Sequence, residues 1–173
     1  FKITPTQLRE ALSSRTKVLI FSSPNNPSGA MYRQDELEAL AAVLRDFPQV
    51  VVVADEIYEY LSYGEVPHYS FARIEGMYDR TATVNGMSKG YAMTGWRVGW
   101  MIGPIDVMKA SINFQSHATS NVNNIAQAAA LAGVAGDLTA VSMMREAFER
   151  RGRTMHRMLN DIPGVTCMEP EGA

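Results

Sequence analysis

The stretch Thr83–Gly99 carries a lysine, Lys89, in surroundings that are unusual for a surface charge. Gly86 and Gly90 stand on either side of this lysine, and glycine lets other groups approach the backbone closely. Arg97 follows eight residues later, inside an otherwise apolar run. A lysine is usually a solvated charge, but these flanks favour a functional amine.

A second chemistry fits the same stretch, because Gly86–Gly90 also satisfies the G-x-S-x-G pattern of a serine nucleophile. Ser88 would be the nucleophile, and His117 or His156 further along the chain would be its base. Such a serine must be followed directly by a helix, whereas the next residues contain two glycines and end in another apolar run. A serine hydrolase is therefore a remote alternative.

The hydrophobic pattern predicts helices and strands that alternate along the chain. A capping box at Thr4, followed by a proline, predicts the first helix. Four consecutive valines predict that the second strand is fully buried, and the first strand also has the pattern of a buried strand. The predicted strands are Lys17–Ser22, Gln49–Ala54, Thr81–Asn85 and Arg97–Ile102. The predicted helices are Pro5–Ser13, Gln34–Asp46, Ser70–Ile74, Pro104–Gln115, Asn124–Ala132 and Leu138–Leu159.

This alternation indicates an α/β domain with a mainly parallel sheet, in which ligands bind beyond the carboxyl ends of the strands. The first three predicted strands lead to polar residues at that end: Asn26, then Asp55 with Tyr58, and then Lys89. Asp55 alone would equally well be a helix cap or a turn residue. Parallel strands, however, would bring all of these side chains to one edge of the sheet.

The composition limits the partners that the protein can have. The formal net charge of the 173 residues is -2, so no general basic field would attract nucleic acid or an anionic membrane. The longest nearly apolar run, Ile125–Ala135, is too short to span a bilayer. The one cysteine, Cys167, fits a reducing compartment and predicts a cytoplasmic location. The three histidines lack metal-ligand spacing, and we expect no metal.

Three motifs make the chain resemble the fold type I aminotransferases that use pyridoxal 5'-phosphate (PLP). They are N-P-x-G at Asn26–Gly29, D-x-x-Y at Asp55–Tyr58, and S-K followed by G-W-R at Ser88–Lys89 and Gly95–Arg97. Their order and separations agree with the family, and the resemblance covers essentially the whole chain. The run Ala92–Arg97 most resembles the class I/II branch that contains many prokaryotic aspartate and aromatic aminotransferases.

The resemblance implies a role for each residue in moving an amino group between an amino acid and a 2-oxo acid. Lys89 would form a Schiff base with the PLP aldehyde and later move a proton between substrate and cofactor. Asp55 would pair with the pyridine nitrogen, and Asn26 and Tyr58 would hydrogen-bond the ring oxygen. Arg97 would bind the phosphate through its guanidinium fork.

One position departs from the family's pattern. Many relatives carry a serine or threonine three residues before the lysine as a phosphate ligand, and here that position is Gly86. Ser88 is therefore included as a further candidate cofactor ligand.

The resemblance also implies the organisation of the chain. Residues 1–137 would form the central part of a three-layer α/β/α large PLP-binding domain, and residues 138–173 a long connecting helix with the start of the small C-terminal domain. We expect an internal fragment that is inactive alone, because the family's N-terminal phosphate cradle and C-terminal carboxylate-binding arginine have no counterpart. In the family, the polar loop after the fourth strand reaches the neighbouring subunit's site, so Thr119, Ser120 and Asn121 would face a partner in a homodimer with a shared active site. The alternative is that these residues belong to an ordinary loop between two helices.

Two further alternatives keep the fold but change the function. Lyases and decarboxylases of the same fold use the same lysine, aspartate and arginine, so these residues do not by themselves select transamination. The non-enzymatic alternative is the ligand-sensing half of a transcription regulator fused to an aminotransferase-like domain. A DNA-binding helix-turn-helix before this chain would favour that alternative.

Overall fold

The computed structural model describes all residues from Phe1 to Ala173. The helices and strands follow the predicted order, and their ends differ from the predicted ends by a few residues. In chain order they are α1 (Pro5–Ala11), β1 (Val18–Ser22), α2 (Gln34–Arg45), β2 (Val51–Asp55), β3 (Thr81–Gly86), β4 (Gly99–Ile102), α3 (Ile105–Ala118), α4 (Asn124–Ala135) and α5 (Thr139–Asn160). Short 3-10 helices occur at Phe71–Arg73, Tyr78–Arg80 and Thr94–Trp96.

The four strands form one mixed sheet in the order β1-β2-β3-β4. The pairs β1–β2 and β2–β3 are parallel, whereas β3–β4 is antiparallel. Two consecutive strands can pair in parallel only if a crossover connection, usually an α-helix, joins them. The segment between β3 and β4 contains only the 3-10 turn Thr94–Trp96. The start of β4 therefore lies beside the end of β3, with Gly99 opposite Gly86.

The start of α1 is fixed as its sequence predicts. The Thr4 hydroxyl accepts a hydrogen bond from the Gln7 backbone N–H at 3.2 Å, and the Gln7 side chain accepts one from the Thr4 N–H at 2.9 Å. Helix α2 then presents apolar side chains to the sheet, among them the fully buried Leu37 and Leu44. Burial of each leucine contributes about 1.5–3 kcal/mol, and this apolar face orients α2 on the sheet.

The core lies on one face of the sheet, between β2, helices α1 and α2, and the segment around Phe71. Along β2, Val52 and Ala54 point into this core, whereas Val51 and Val53 are only half-buried. In β1, Ile20 is 71% exposed. The predictions that β1 is buried and that β2 is fully buried are therefore wrong for this chain. An apolar run does not reveal whether a second layer covers the strand, and here the opposite face of β1 is open.

The three C-terminal helices pack less tightly than α2. Helix α3 has no buried residue, and its Ile112 and Phe114 are exposed. Helix α5 buries only Val141. No single helix is both long and apolar enough to cross a membrane; α4 and α5 together pass that test by length and composition, but they are bent by 82° at the break between them.

Candidate active site

The turn after β1 presents Asn26 at the carboxyl end of the strand. The turn is held by main-chain hydrogen bonds from Asn25 N to the Ala30 carbonyl at 2.9 Å and from Gly29 N to the Asn25 carbonyl at 2.8 Å. Ser23, which is buried, accepts a hydrogen bond from the Tyr32 N–H at 3.0 Å. The peptide bonds before both prolines of the turn are cis. Asn26 itself is exposed at the tip of this braced turn.

Asn26 and Tyr58 meet across two neighbouring strand ends. The Asn26 amide donates a hydrogen bond to the Tyr58 hydroxyl at 3.0 Å, and Tyr58 is buried. The ammonium of Lys89 lies 5.4 Å from the centroid of the Tyr58 ring, within the range of a cation–π contact. The three side chains therefore form a continuous series at the carboxyl ends of β1, β2 and β3, as the parallel arrangement predicts.

Asp55 is the last residue of β2 and lies beside Ser22 of β1 and Val84 of β3. Its side chain is half-buried, and one carboxylate oxygen accepts a hydrogen bond from the Ile57 N–H at 3.1 Å. That turn directs the chain from Asp55 to Tyr58. The carboxylate is therefore fixed at the same edge of the sheet as Tyr58.

Arg97 lies just before β4 rather than inside it, because the strand begins at Gly99. The Arg97 backbone is left-handed, with φ 55° and ψ 49°, and its guanidinium donates a hydrogen bond to the Thr94 carbonyl at 3.1 Å. The antiparallel direction of β4 brings Arg97 to the edge that carries Lys89. The Arg97 side chain is exposed and lines an open cleft of about 880 Å³ together with Thr119 and Asn121.

Ser88 is half-buried and makes no side-chain hydrogen bond. The chain after Ser88 forms a turn and the 3-10 segment Thr94–Trp96, not an α-helix. Neither His117 nor His156 forms a hydrogen bond with it. The structure thus lacks the strand–turn–helix arrangement that the remote serine hydrolase alternative requires.

Glu56 is a buried acid that the sequence analysis did not single out. Its carboxylate accepts hydrogen bonds from the Ser70 hydroxyl at 2.9 Å and the Phe71 N–H at 3.1 Å, and it pairs with His68 Nε2 at 3.2 Å. These contacts hold the segment Ser70–Phe71 against the end of β2. The sequence contains one signal of this burial, because Glu56 directly follows Asp55 at the end of an apolar strand. An acid that is buried at such a position needs hydrogen-bonding partners.

The ligand atoms of Glu56, Glu59 and His68 lie within 4.8 Å of one another, a spacing that a metal ion could bridge. Both oxygens of Glu56 are already engaged by protein donors. Hydrogen bonding therefore accounts for this cluster. His68, which has no role assigned from sequence, serves to pair a buried carboxylate.

The C-terminal residues cross the turn that carries Asn26. The Glu171 and Gly172 N–H groups donate hydrogen bonds to the Gly29 carbonyl at 2.7 and 3.1 Å. A Cβ at Gly172 would lie 2.7 Å from the Pro24 Cβ, so only glycine fits this crossing without a shift of its neighbours. The turn is thus braced from a part of the chain more than a hundred residues away.

The whole chain, residues 1–173, matches the family model described as "Aminotransferase class I and II". The chain belongs to this family. The aspartate aminotransferases of Streptomyces avermitilis and Bacillus subtilis are 53% and 44% identical over the entire chain, which covers 42% and 44% of their respective lengths. The chain therefore spans less than half the length of these curated relatives.

Solved aminotransferase structures have the same fold over this region. An aspartate aminotransferase from Rhizobium meliloti superposes with a TM-score of 0.97 at 39% identity, over 99% of this chain and 43% of that one. An aromatic aminotransferase from Pyrococcus horikoshii gives a TM-score of 0.95 at 34% identity, over 100% of this chain and 46% of that one. The mixed sheet described above is thus the sheet of this part of an aminotransferase.

The aminotransferases of this family use PLP, and the donor set at the sheet edge fits that group chemically. PLP offers an aldehyde, a pyridine nitrogen, a phenolic oxygen and a phosphate. The edge supplies an amine from Lys89, a carboxylate from Asp55, hydrogen-bonding groups from Asn26 and Tyr58, and a guanidinium from Arg97. Each part of the cofactor therefore has a complementary group in this chain.

Proposed function

We propose that the full-length protein is a PLP-dependent aminotransferase that moves an amino group between an amino acid and a 2-oxo acid. The observation that carries the proposal is the contact series from Asn26 through Tyr58 to Lys89, in a chain of this family. Aspartate is the proposed amino donor, because relatives named aspartate aminotransferases are 44–53% identical over the whole chain.

Each residue has a proposed task. The Lys89 amine would hold the cofactor through its aldehyde and would move a proton at the substrate Cα. Asp55 pairs with the pyridine nitrogen and keeps it protonated, while Asn26 and Tyr58 hydrogen-bond the ring oxygen. Arg97 binds the phosphate. When bound, the cofactor supplies an electron sink for the substrate carbon that loses its proton.

Ser88 is proposed as a second phosphate ligand. It directly precedes Lys89, and its hydroxyl has no partner within the chain. The position three residues before Lys89 is Gly86, which has no side chain to offer. A contribution from Ser88 would replace the hydroxyl that many relatives carry there.

The proposed assembly is a homodimer with a shared active site. Thr119, Ser120 and Asn121 are exposed, and two of them line the cleft beside Arg97. A partner chain that contacts this loop would therefore lie next to the proposed phosphate site. The division into a large domain up to residue 137 and a small domain beginning after it is part of the same proposal.

Borohydride reduction of the full-length protein with PLP, followed by peptide mass analysis, tests the central assignment. We expect one pyridoxyl group, on Lys89, and transfer of the amino group from aspartate to a 2-oxo acid. A pyridoxyl group on another residue would refute the assignment of Lys89. Release of ammonia or carbon dioxide without transfer would instead indicate a lyase or a decarboxylase.

A further inference from the structure

Asn85 is a buried polar residue at the end of β3 whose side chain bonds in two directions. Its Nδ2 donates a hydrogen bond to the Glu59 carboxylate at 2.8 Å, and its Oδ1 accepts one from the Gly86 N–H at 2.7 Å. Asn85 is 8% exposed. A buried amide must find partners for both of its ends, and here the two partners lie on different segments of the site.

Glu59 directly follows Tyr58 and closes a turn with Glu56, in which the Glu59 N–H donates to the Glu56 carbonyl at 2.9 Å. Burial raises the pKa of Glu59, and the hydrogen bond from Asn85 partly offsets that rise. A hydrogen bond to an ionised carboxylate is stronger than one between neutral groups. The link between Glu59 and Asn85 therefore joins the Tyr58 segment firmly to the end of β3.

A second contact joins the same two segments on the other side of Lys89. A Cβ at Gly90 would lie 3.1 Å from Tyr60 Cδ2, so the Tyr60 ring rests closely on the Gly90 backbone. Tyr60 also packs edge-on against Tyr91, with the ring centroids 5.7 Å apart. Glu59 thus holds this turn at Asn85, before Lys89, and Tyr60 holds it at Gly90, after Lys89.

We propose that Asn85 and Glu59 are positioning residues that hold the Lys89 turn at a fixed distance from Tyr58. Neither residue needs to touch the cofactor for this role, because the pair links the backbones that carry the two groups. The proposal rests on the proposed function, in which Lys89 moves a proton at a carbon whose position is set by the cofactor. An error of about 1 Å in such an arrangement can lower the rate about 100-fold.

The test uses the full-length protein and the variants Asn85→Ala, Glu59→Ala and Glu59→Gln. We expect Asn85→Ala and Glu59→Ala each to lower kcat about 10- to 100-fold, with KM changed less than about 3-fold. Glu59→Gln keeps an oxygen that accepts the hydrogen bond from Asn85, so its kcat should stay within about 3-fold of the wild type. The double variant Asn85→Ala/Glu59→Ala should be no worse than either single variant.

A second readout does not depend on cofactor or activity. Amide hydrogen exchange of the cofactor-free protein should speed up in the peptide covering residues 86–92 in both alanine variants, and not in Glu59→Gln. If Asn85→Ala does not fold, the comparison of Glu59→Ala with Glu59→Gln decides the question.

A lower melting temperature with unchanged kcat and unchanged exchange at residues 86–92 would overturn the positioning role. So would a loss in Glu59→Gln as large as that in Glu59→Ala. Wild-type protein that gives no pyridoxyl group at Lys89 would refute the proposed function instead. The exchange result tests the link between the segments separately.

Discussion

The Asn26 side-chain amide donates a hydrogen bond to the Tyr58 hydroxyl at 3.0 Å, across 32 residues of sequence. The bond joins the turn after β1 to the turn after β2. Lys89 lies over the ring of the same tyrosine, with its ammonium 5.4 Å from the ring centroid. Tyr58 therefore contacts both a proposed ring-oxygen ligand and the proposed cofactor anchor.

A double-mutant cycle on Asn26 and Tyr58 should reveal coupling in PLP binding. We expect Asn26→Ala and Tyr58→Phe each to weaken PLP binding, and the double variant to lose about 0.5–1.5 kcal/mol less than the sum, because either change breaks the same hydrogen bond. Fluorescence titration of PLP onto the full-length protein measures the dissociation constants. Tyr78→Phe, which changes an exposed tyrosine, should have no effect. Strict additivity would mean that the two residues act independently.

Replacement of the proposed anchor should abolish turnover. Lys89→Ala removes both the covalent attachment and the proton-transferring amine, so kcat should fall by more than about 1000-fold, since positioned acid–base groups alone contribute about 100- to 10,000-fold. Steady-state transamination by the full-length protein is the measurement. Lys109→Ala, on the exposed surface of α3, is the matched control and should retain wild-type activity. Activity of Lys89→Ala close to wild type would refute the role.

Two glycine substitutions should have opposite effects on stability. Gly172→Ala places a Cβ 2.7 Å from the Pro24 Cβ and 2.8 Å from the Leu61 carbonyl oxygen, and should lower the free energy of unfolding by about 1–3 kcal/mol. In Gly152→Ala, within α5, the nearest atom to the new Cβ is Pro170 Cγ at 3.6 Å. Because a glycine within a helix is destabilising, this change should raise the free energy of unfolding by up to about 1 kcal/mol. Urea unfolding of the full-length protein measures both. Equal stability of the two variants would contradict the tight crossing at Gly172.

Glu59 should make stability depend on pH. Burial raises its pKa above the ordinary value of 4.5, so the folded state holds the proton more tightly than the unfolded state. Stability is therefore lost as the pH rises from about 4.5 through the raised pKa. The unfolding free energy of Glu59→Gln should increase relative to wild type over this interval and then level off. Urea unfolding at a series of pH values measures the difference.

Glu65 offers a control for this pH dependence, because its side chain is exposed. Glu65→Gln should differ from wild type by an amount that changes little with pH. A pH-independent difference for Glu59→Gln would show that ionisation of Glu59 does not affect folding.

The proposed catalytic side chains are predictable from sequence because each follows a short apolar run. Asn26, Asp55 and Lys89 lie at one edge of the sheet as expected, since parallel strands place their carboxyl ends side by side. The direction of β4 was also predictable in principle, because the segment from β3 to β4 lacks a crossover helix. An apolar run does not reveal whether a second layer covers each face of the strand. The exposure of Ile20 could therefore not be predicted from the sequence.

The supporting polar residues were not predicted for a different reason. Glu56 and Asn85 are buried only because distant groups satisfy their hydrogen bonds: Ser70 and Phe71 for the first, and Glu59 for the second. The only local signal is the position of Glu56 directly after an apolar strand, and nothing in the local sequence distinguishes Asn85 from an exposed amide. The pairing becomes visible only when the fold brings the segments together.

The crossing of the C-terminal segment over the Asn26 turn links two parts of the chain mechanically. Two main-chain hydrogen bonds and the close fit of Gly172 on Pro24 oblige the turn to follow any displacement of Glu171 and Gly172. Asn26 would then move relative to the cofactor's ring oxygen. The strength of the proposed hydrogen bond between Asn26 and the cofactor would therefore depend on the position of the segment after α5.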